Sequence, residues 1–252
     1  MASLDLTTWL VTGASSGLGE AFLKNLSAQA DDLPSKIICV SRRPVKTEIS
    51  LELSKKNISI KHLRIDLSNP SEVDNLVREI SDKSIRRFLS FAAGGPYGEY
   101  STKQFKDHEW AFNVNFLAPA KILHSLLNQK TFLQCVLVGS AIAESKADPM
   151  AAAYSAAKHA VKGLYATLAT ESAAETSGKD IRLFSPGYMD TPLLPPGSWP
   201  RKTQGEVMDA QIAAAKLYDW MLTGERGTHL LFDQESKSWQ QIPAQKIQQS
   251  KT

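Results

Sequence analysis

Tyr154-Ser155-Ala156-Ala157-Lys158 sets a phenol and an ammonium four residues apart, on one face of any helix that holds both. An ammonium beside a tyrosine favours the phenolate. It brings the phenol down from about 10 toward physiological pH, where it is usable as a general acid or base. The same spacing occurs on ordinary amphipathic helices, although the alanines at 151–153, 156 and 157 suggest a helix packed closely against another surface. Ser140, in Val138-Gly139-Ser140-Ala141, follows an apolar run. A hydroxyl there either polarises a carbonyl or simply turns the chain. Asn115 sits inside a helical stretch, where asparagine has low propensity, and serves a water, a packing contact or nothing.

A second group of residues suits phosphate chemistry. Thr12-Gly13-Ala14-Ser15-Ser16-Gly17-Leu18-Gly19 links an apolar run to a helical one. Glycines at this spacing let the backbone turn sharply and approach a pyrophosphate, whose charge meets free N–H groups and the positive end of the helix dipole. The second apolar run ends in Ser41-Arg42-Arg43. A dinucleotide without a 2′-phosphate usually meets an Asp or Glu at that point. A hydroxyl and two guanidiniums suit a 2′-phosphate and stacking on adenine instead, so NADP(H) is expected over NAD(H). Two solvated arginines after a strand are the plainer alternative. Asp66-Leu67, after the third run, is placed to touch adenine.

The elements that must hold these residues follow from periodicity. Strands are expected at 8–11, 36–40, 58–65, 86–91, 133–138, 181–184 and 229–232, and helices at 18–30, 71–81, 104–127, 151–174 and 205–222. The alternation describes a doubly wound parallel sheet with crossover helices in a three-layer α/β/α domain. Its 252 residues suffice for one large core. No linker or internal repeat interrupts residues 1–233, and 234–252 read as a polar tail, either an oligomer arm or frayed.

Composition excludes other classes. With 42% hydrophobic and 22% charged residues the chain is neither disordered nor fibrous. A net charge of +3, spread over 29 basic and 26 acidic residues, gives no nucleic-acid stripe. Cys39 and Cys135 lie in apolar runs and read as reduced core thiols. The five histidines show no metal-ligand spacing, and no metal is expected. His159, beside Lys158, points away from Tyr154 by helical geometry. The absence of a leader-like N-terminus or a long apolar stretch points to the cytoplasm and away from a membrane.

From about Thr8 to Asp233 these motifs together resemble the classical short-chain dehydrogenase/reductase family, which implies a Rossmann-type fold. Thr12 to Gly19 is similar to its Thr-Gly-x3-Gly-x-Gly turn, Tyr154-x3-Lys158 to its catalytic pair, and Ser140 and Asn115 fall where the rest of its tetrad is expected. Pro186-Gly187-Tyr188-Met189-Asp190-Thr191 resembles the segment that binds the nicotinamide carboxamide and phosphate. The resemblance implies that Tyr154 exchanges a proton with the substrate oxygen and Ser140 polarises the carbonyl. It implies that Lys158 holds the nicotinamide ribose and that Asn115 anchors a water. Pro186, Gly187, Met189 and Thr191 would contact the cofactor, as would the Ala93-Gly94 backbone.

Two departures stand out. Phe91-Ala92-Ala93-Gly94 replaces the family's Asn-Asn-Ala-Gly. The ending, Gly227 to Asp233, resembles the sepiapterin-reductase branch but carries Leu231 in place of its acidic pterin anchor, which argues against a pterin substrate.

Loops at 95–100, 141–150 and 188–205 are expected to form the substrate pocket, with Tyr97, Ala141, Met150, Tyr188 and Trp199 as walls. Their few charges suit a hydrophobic or aromatic ketone, aldehyde or diketone. Prolines 192, 195, 196 and 200 stiffen the last loop, so any lid is short. Three activities fit: an NADPH-dependent carbonyl reductase, an NADP-dependent alcohol or steroid-type dehydrogenase, or an NADP(H)-binding regulator without turnover. The four intact tetrad residues argue against the last. By the same resemblance the chain forms a homodimer or homotetramer through the helices that begin near Gln104 and Ala151.

Overall fold

The computed structural model describes residues 7–144, 148–174, 178–203 and 207–243. Strands β1 (Thr8–Thr12), β2 (Lys36–Ser41), β3 (Ser59–Arg64), β4 (Ile85–Ser90), β5 (Gln134–Val138), β6 (Asp180–Ser185), β7 (His229–Asp233) and β8 (Ser238–Ile242) form one sheet. Its order is β3-β2-β1-β4-β5-β6-β7-β8. The first seven strands run parallel and β8 antiparallel. This is the expected Rossmann-type three-layer domain.

Alternation along the strands feeds two cores. Trp9 and Val11 of β1 join Ile37 and Cys39 of β2 on one face, where Leu18, Phe22 and Leu26 of α1 (Gly17–Ala28) and Leu217 and Tyr218 of α8 (Ala210–Thr223) cover them. Leu10, Ile38 and Val40 point the other way, toward α3 (Pro70–Ile80), α5 (Ala118–Leu127) and α6 (Ala152–Ala174). Strands buried on both faces read as continuous apolar runs, which is why these elements were visible in the sequence.

Cys39 and Cys135 are fully buried free thiols. Burial pushes the Cys39 thiol up to about 12, and Cys135 also lies well above its usual range for the same reason.

Three elements depart from the sequence reading. Helix α2 (Thr47–Lys55) buries only Ile49 and Leu53 and so carries little apolar signal. The single helix expected over 104–127 is divided into α4 (Phe105–Phe112), a π-helical turn at Asn113–Leu117, and α5. Last, part of the supposed polar tail is strand β8. The Asp233 carboxylate accepts from Glu235 N, Ser236 N and Ser236 Oγ, closing a tight turn. Trp239 then stacks on Phe184 and meets Phe232 edge-on, each at 5.2 Å between ring centroids. One anchored tryptophan thus fixes an otherwise exposed polar strand. The expected start of the last helix at Gly205 lies outside the described residues, as do 1–6 and 244–252; that helix, α8, runs from Ala210. The short helix α7 (Trp199–Lys202) precedes it.

Candidate active site

The loops after β1, β2, β4, β5 and β6 converge at the C-terminal edge of the sheet, where the chain reverses from the β3-β2-β1 half to the β4-β5-β6 half. Open α/β sheets leave a crevice at such a switch point. Here it is a cleft of about 570 Å³.

One end is built by the glycine turn. Gly13 has a φ of +71°, and a Cβ there would lie 2.5 Å from Ala92 N. A Cβ on Gly19 would meet the Gly13 carbonyl. Any side chain at either position would pry the turn from β4 or from its own helix. Gly13, Ser15, Ser16, Gly17 and Leu18 line the cleft. Gly19 does not, and its part is packing. Ser16 begins α1 without a side-chain cap, so the first N–H groups of a twelve-residue helix face the cleft without a side-chain acceptor.

Ser41, Arg42, Arg43, Asp66 and Leu67 line the same end. The two arginines are exposed. The Ser41 Oγ donates to Arg43 O at 2.6 Å and lies 3.2 Å from His62 Nε2. The hydroxyl proton is thereby held inside the turn. Asp66 Oδ1 is likewise held by Ser68 N and Ser68 Oγ.

At the other end, Ser140, Tyr154 and Lys158 line the cleft with Ala93, Gly94, Pro186, Gly187, Met189 and Thr191. Tyr154 and Lys158 share a face of α6, and Lys158 Nζ stands 5.5 Å from the Tyr154 ring centroid. Ser140 lies two residues past the end of β5 and bonds to the Tyr154 phenol. Two backbone bonds fix its strand end: Gly139 N to Phe184 O at 2.8 Å, and Ala141 N to Pro186 O at 3.1 Å.

The expected lowering of Tyr154 does not occur in this state. Burial pushes its phenol up to about 12, only partly offset by the Ser140 hydrogen bond. Lys158, 2% exposed, is itself brought down by burial from 10.5 to about 7. Its Nζ donates to Val138 O at 2.8 Å, and a half-neutral amine offers the phenolate little. Tyr154 is therefore a proton-bearing phenol.

A stability prediction follows from Lys158. Between pH 7 and 10.5 the unfolded chain binds a proton that the folded chain has released, so raising the pH through this window favours the fold. The gain should approach 1.4 kcal/mol per pH unit. Urea unfolding of the cofactor-free protein at pH 7 and pH 9 should show wild type gaining about 2 kcal/mol relative to Lys158→Met. Equal pH dependence would mean that Lys158 stays charged.

Asn115 is 2% exposed and lies behind the wall rather than in it. The π turn aims it at Gly94. Its Nδ2 donates to Gly94 O at 2.5 Å and to Ala111 O at 2.6 Å, and its Oδ1 accepts from Gly94 N at 3.4 Å. Both side-chain N–H donors are engaged, and the side chain clamps the Gly94 backbone to Ala111. That clamp stands where the missing asparagines of 91–94 left the strand untied.

Of the expected substrate walls, Tyr97 and Tyr188 line the cleft. Ala141 is buried without lining it, and Met150, 37% exposed, turns to solvent. Trp199 backs the wall, meeting Tyr188 edge-on at 5.4 Å while its backbone bonds to the Tyr97 phenol. The sequence reading missed Trp110, Ile142, Asp148, Leu193 and Leu194, all of which line the cleft. None carries a motif, since each is brought in by a loop or by the packing of α4. His159 is exposed and bonds Ser155 O, outside the site. Among the described residues no cluster of metal-ligating side chains occurs, and no helix is long and apolar enough to cross a membrane.

Comparison with known proteins decides the family. A family model described as short chain dehydrogenase matches residues 7–198, well over half of the chain. The chain belongs to the short-chain dehydrogenase family. As a member it is an oxidoreductase. It is 27% identical over 191 residues to an uncharacterized oxidoreductase of Mycobacterium tuberculosis, covering 73% of this chain and 74% of that one. It is also 27% identical over 217 residues to a 3beta-hydroxysteroid dehydrogenase of Mediterraneibacter gnavus, covering 84% and 76%. A short-chain dehydrogenase from Burkholderia cenocepacia, solved in complex with NADP, superposes with a TM-score of 0.75 at 20% identity, over 91% of this chain and 97% of that one. At that identity the likeness speaks for the fold.

Proposed function

We propose that this short-chain dehydrogenase is an NADPH-dependent reductase of hydrophobic or aromatic ketones, aldehydes or diketones. The observation that carries the reading is one cleft lined by the glycine turn and Arg42-Arg43 at one end and by Ser140, Tyr154 and Lys158 at the other. The residues fit the dinucleotide. The turn has no room for a Cβ at Gly13, and the end of β2 offers two cations and no carboxylate. Gly13 to Leu18 would hold the pyrophosphate, Arg42 and Arg43 the 2′-phosphate, and Asp66 and Leu67 would border the adenine. Ala93, Gly94, Pro186, Gly187, Met189 and Thr191 would hold the nicotinamide half.

The bound nicotinamide supplies the hydride. The chain supplies alignment and a proton. Ser140, whose hydroxyl bonds to the phenol, would turn its proton to the substrate carbonyl oxygen and orient it. Tyr154 gives that oxygen its phenolic proton. Lys158 lies under the Tyr154 ring; once it regains its charge beside an anionic ligand, it stabilises the phenolate left behind.

A phenol at about 12 carries its proton at pH 7, the form that reduction uses and that the oxidative direction would first have to deprotonate. Initial rates at pH 7 with 4-ethylacetophenone and NADPH should exceed those with the matching alcohol and NADP⁺. A faster oxidation would install the alcohol dehydrogenase reading.

The two buried free thiols favour a reducing compartment such as the cytoplasm. Phe105 on α4, 67% exposed, and Leu117 of the π turn, 50% exposed, favour burial against a second copy in a homodimer or homotetramer.

A further inference from the structure

Among the described residues, five side chains that ordinarily carry charge line the cleft: Arg42, Arg43, Asp66, Lys158 and Asp148. The first three border the phosphate and adenine end, and Lys158 turns to Val138 O. Asp148 is the one not yet accounted for. It belongs to the loop between the 3₁₀ turn Ala141–Ala143 and α6, and it is only 5% exposed.

Its Oδ1 accepts from Met150 N at 3.0 Å, an Asx turn that an asparagine would make as well. Its Oδ2 accepts no hydrogen bond among the described residues, and no lysine, arginine or histidine pairs with it there. An oxygen of a largely buried cleft-lining side chain that has no partner among the described residues is free to meet a ligand. What stands nearby is aromatic and apolar. Asp148 lies close enough to Tyr97 to help push that phenol up, and Gly98 N bonds Met150 O at 2.7 Å, tying the Tyr97 loop to the Asp148 loop. Tyr188 and Leu194 line the same cleft. A carboxylate beside a tyrosine in an otherwise apolar part of the cleft matches an alkylammonium, through charge-assisted hydrogen bonds and cation–π attraction.

We infer that Asp148 is a specificity-determining residue, and that the preferred substrates are aromatic or hydrophobic carbonyl compounds that carry a protonated amine away from the reacting carbonyl. The assignment rests on the carbonyl-reductase reading and narrows its substrate class. Ser140 and Tyr154 take the carbonyl end, and Asp148 takes the ammonium end.

The test is calorimetric titration of the NADP⁺-loaded protein with 4-(aminomethyl)acetophenone and its near-isostere 4-ethylacetophenone, together with the corresponding 3-isomers. Wild type should bind the amine at least about tenfold more tightly at one of the two positions. Asp148→Asn, which keeps the acceptor for Met150 N, should bind amine and ethyl ketone alike, with its NADP⁺ affinity reporting that the fold survives. Equal affinities in wild type at both positions would overturn the assignment without recourse to any variant. So would a preference for 4-(hydroxymethyl)acetophenone over the amine, which would give Asp148 a neutral donor. Binding is read without turnover, so the two readings fail separately. A protein that prefers the amine but reduces neither ketone upholds Asp148 and overturns the reductase. Reduction of both ketones with equal affinities does the reverse.

Discussion

Tyr154→Phe will bind NADPH as wild type does and turn over about 10²- to 10⁴-fold more slowly. This range is what a positioned proton donor is worth. The substitution removes one oxygen and leaves the ring, which packs against Gly95 and faces Lys158, so neither fold nor cofactor pocket should change. Only the group that protonates the substrate oxygen is lost. The variant also separates two roles of the hydroxyl. If Tyr154 merely helped hold substrate, KM would rise and kcat would stay; as the donor it acts in the transition state, and kcat falls with kcat/KM. Steady-state kinetics with one aromatic ketone, together with NADPH titration of both proteins, reads both quantities. A variant that kept a third of the wild-type kcat would move the proton-donor role elsewhere.

Replacing Arg42 and Arg43 together by alanine will weaken NADPH by about 2–3 kcal/mol, roughly 30- to 150-fold, and NADH by far less. Charge-assisted bonds to a phosphate are worth more than this when buried. Both guanidiniums are exposed, so solvent screening holds the effect at the lower end. The Ser41 hydroxyl adds nothing to the discrimination, because its proton already goes to Arg43 O. Ser41→Ala should therefore leave the NADPH to NADH ratio nearly unchanged, unless the Arg43 backbone shifts. Equal losses for the two cofactors in the double variant would reject a 2′-phosphate role for the arginines. Competitive titration at low and high salt adds a check, since the NADPH loss should shrink as ionic strength rises.

What the sequence made legible was what chemistry and burial impose on residue type. Strands β1, β2 and β5 are buried along nearly their whole length and read as apolar runs. The glycine turn is visible because a side chain at Gly13 or Gly19 has no room. The Tyr154 and Lys158 spacing is visible because a helix brings i and i+4 together. The rest depends on contacts that no local pattern encodes. β8 is polar at three of five positions and is held by Trp239 packing on Phe184, a residue more than fifty positions away. The π turn that aims Asn115 at Gly94 adds no composition signal to a helical stretch. Asp148 reads as an ordinary turn residue before Pro149 until its loop folds over the cleft. The direction of Tyr154 was missed for a related reason. Spacing shows that an ammonium is near, whereas how far burial has discharged it depends on the surrounding fold.

The central claim is that the cleft reduces a carbonyl with NADPH. The most direct measurement offers the purified protein NADPH or NADH with a panel of aldehydes, aromatic ketones, 1,2-diketones and quinones and follows the loss of reduced nicotinamide absorbance. Consumption of NADPH with an aromatic or hydrophobic carbonyl, at least about tenfold faster than NADH at low cofactor concentration, is the predicted result. Tight NADPH binding with no consumption by any carbonyl, and no NADP⁺ reduction by the matching alcohols, would contradict it and leave a dinucleotide-binding protein without turnover.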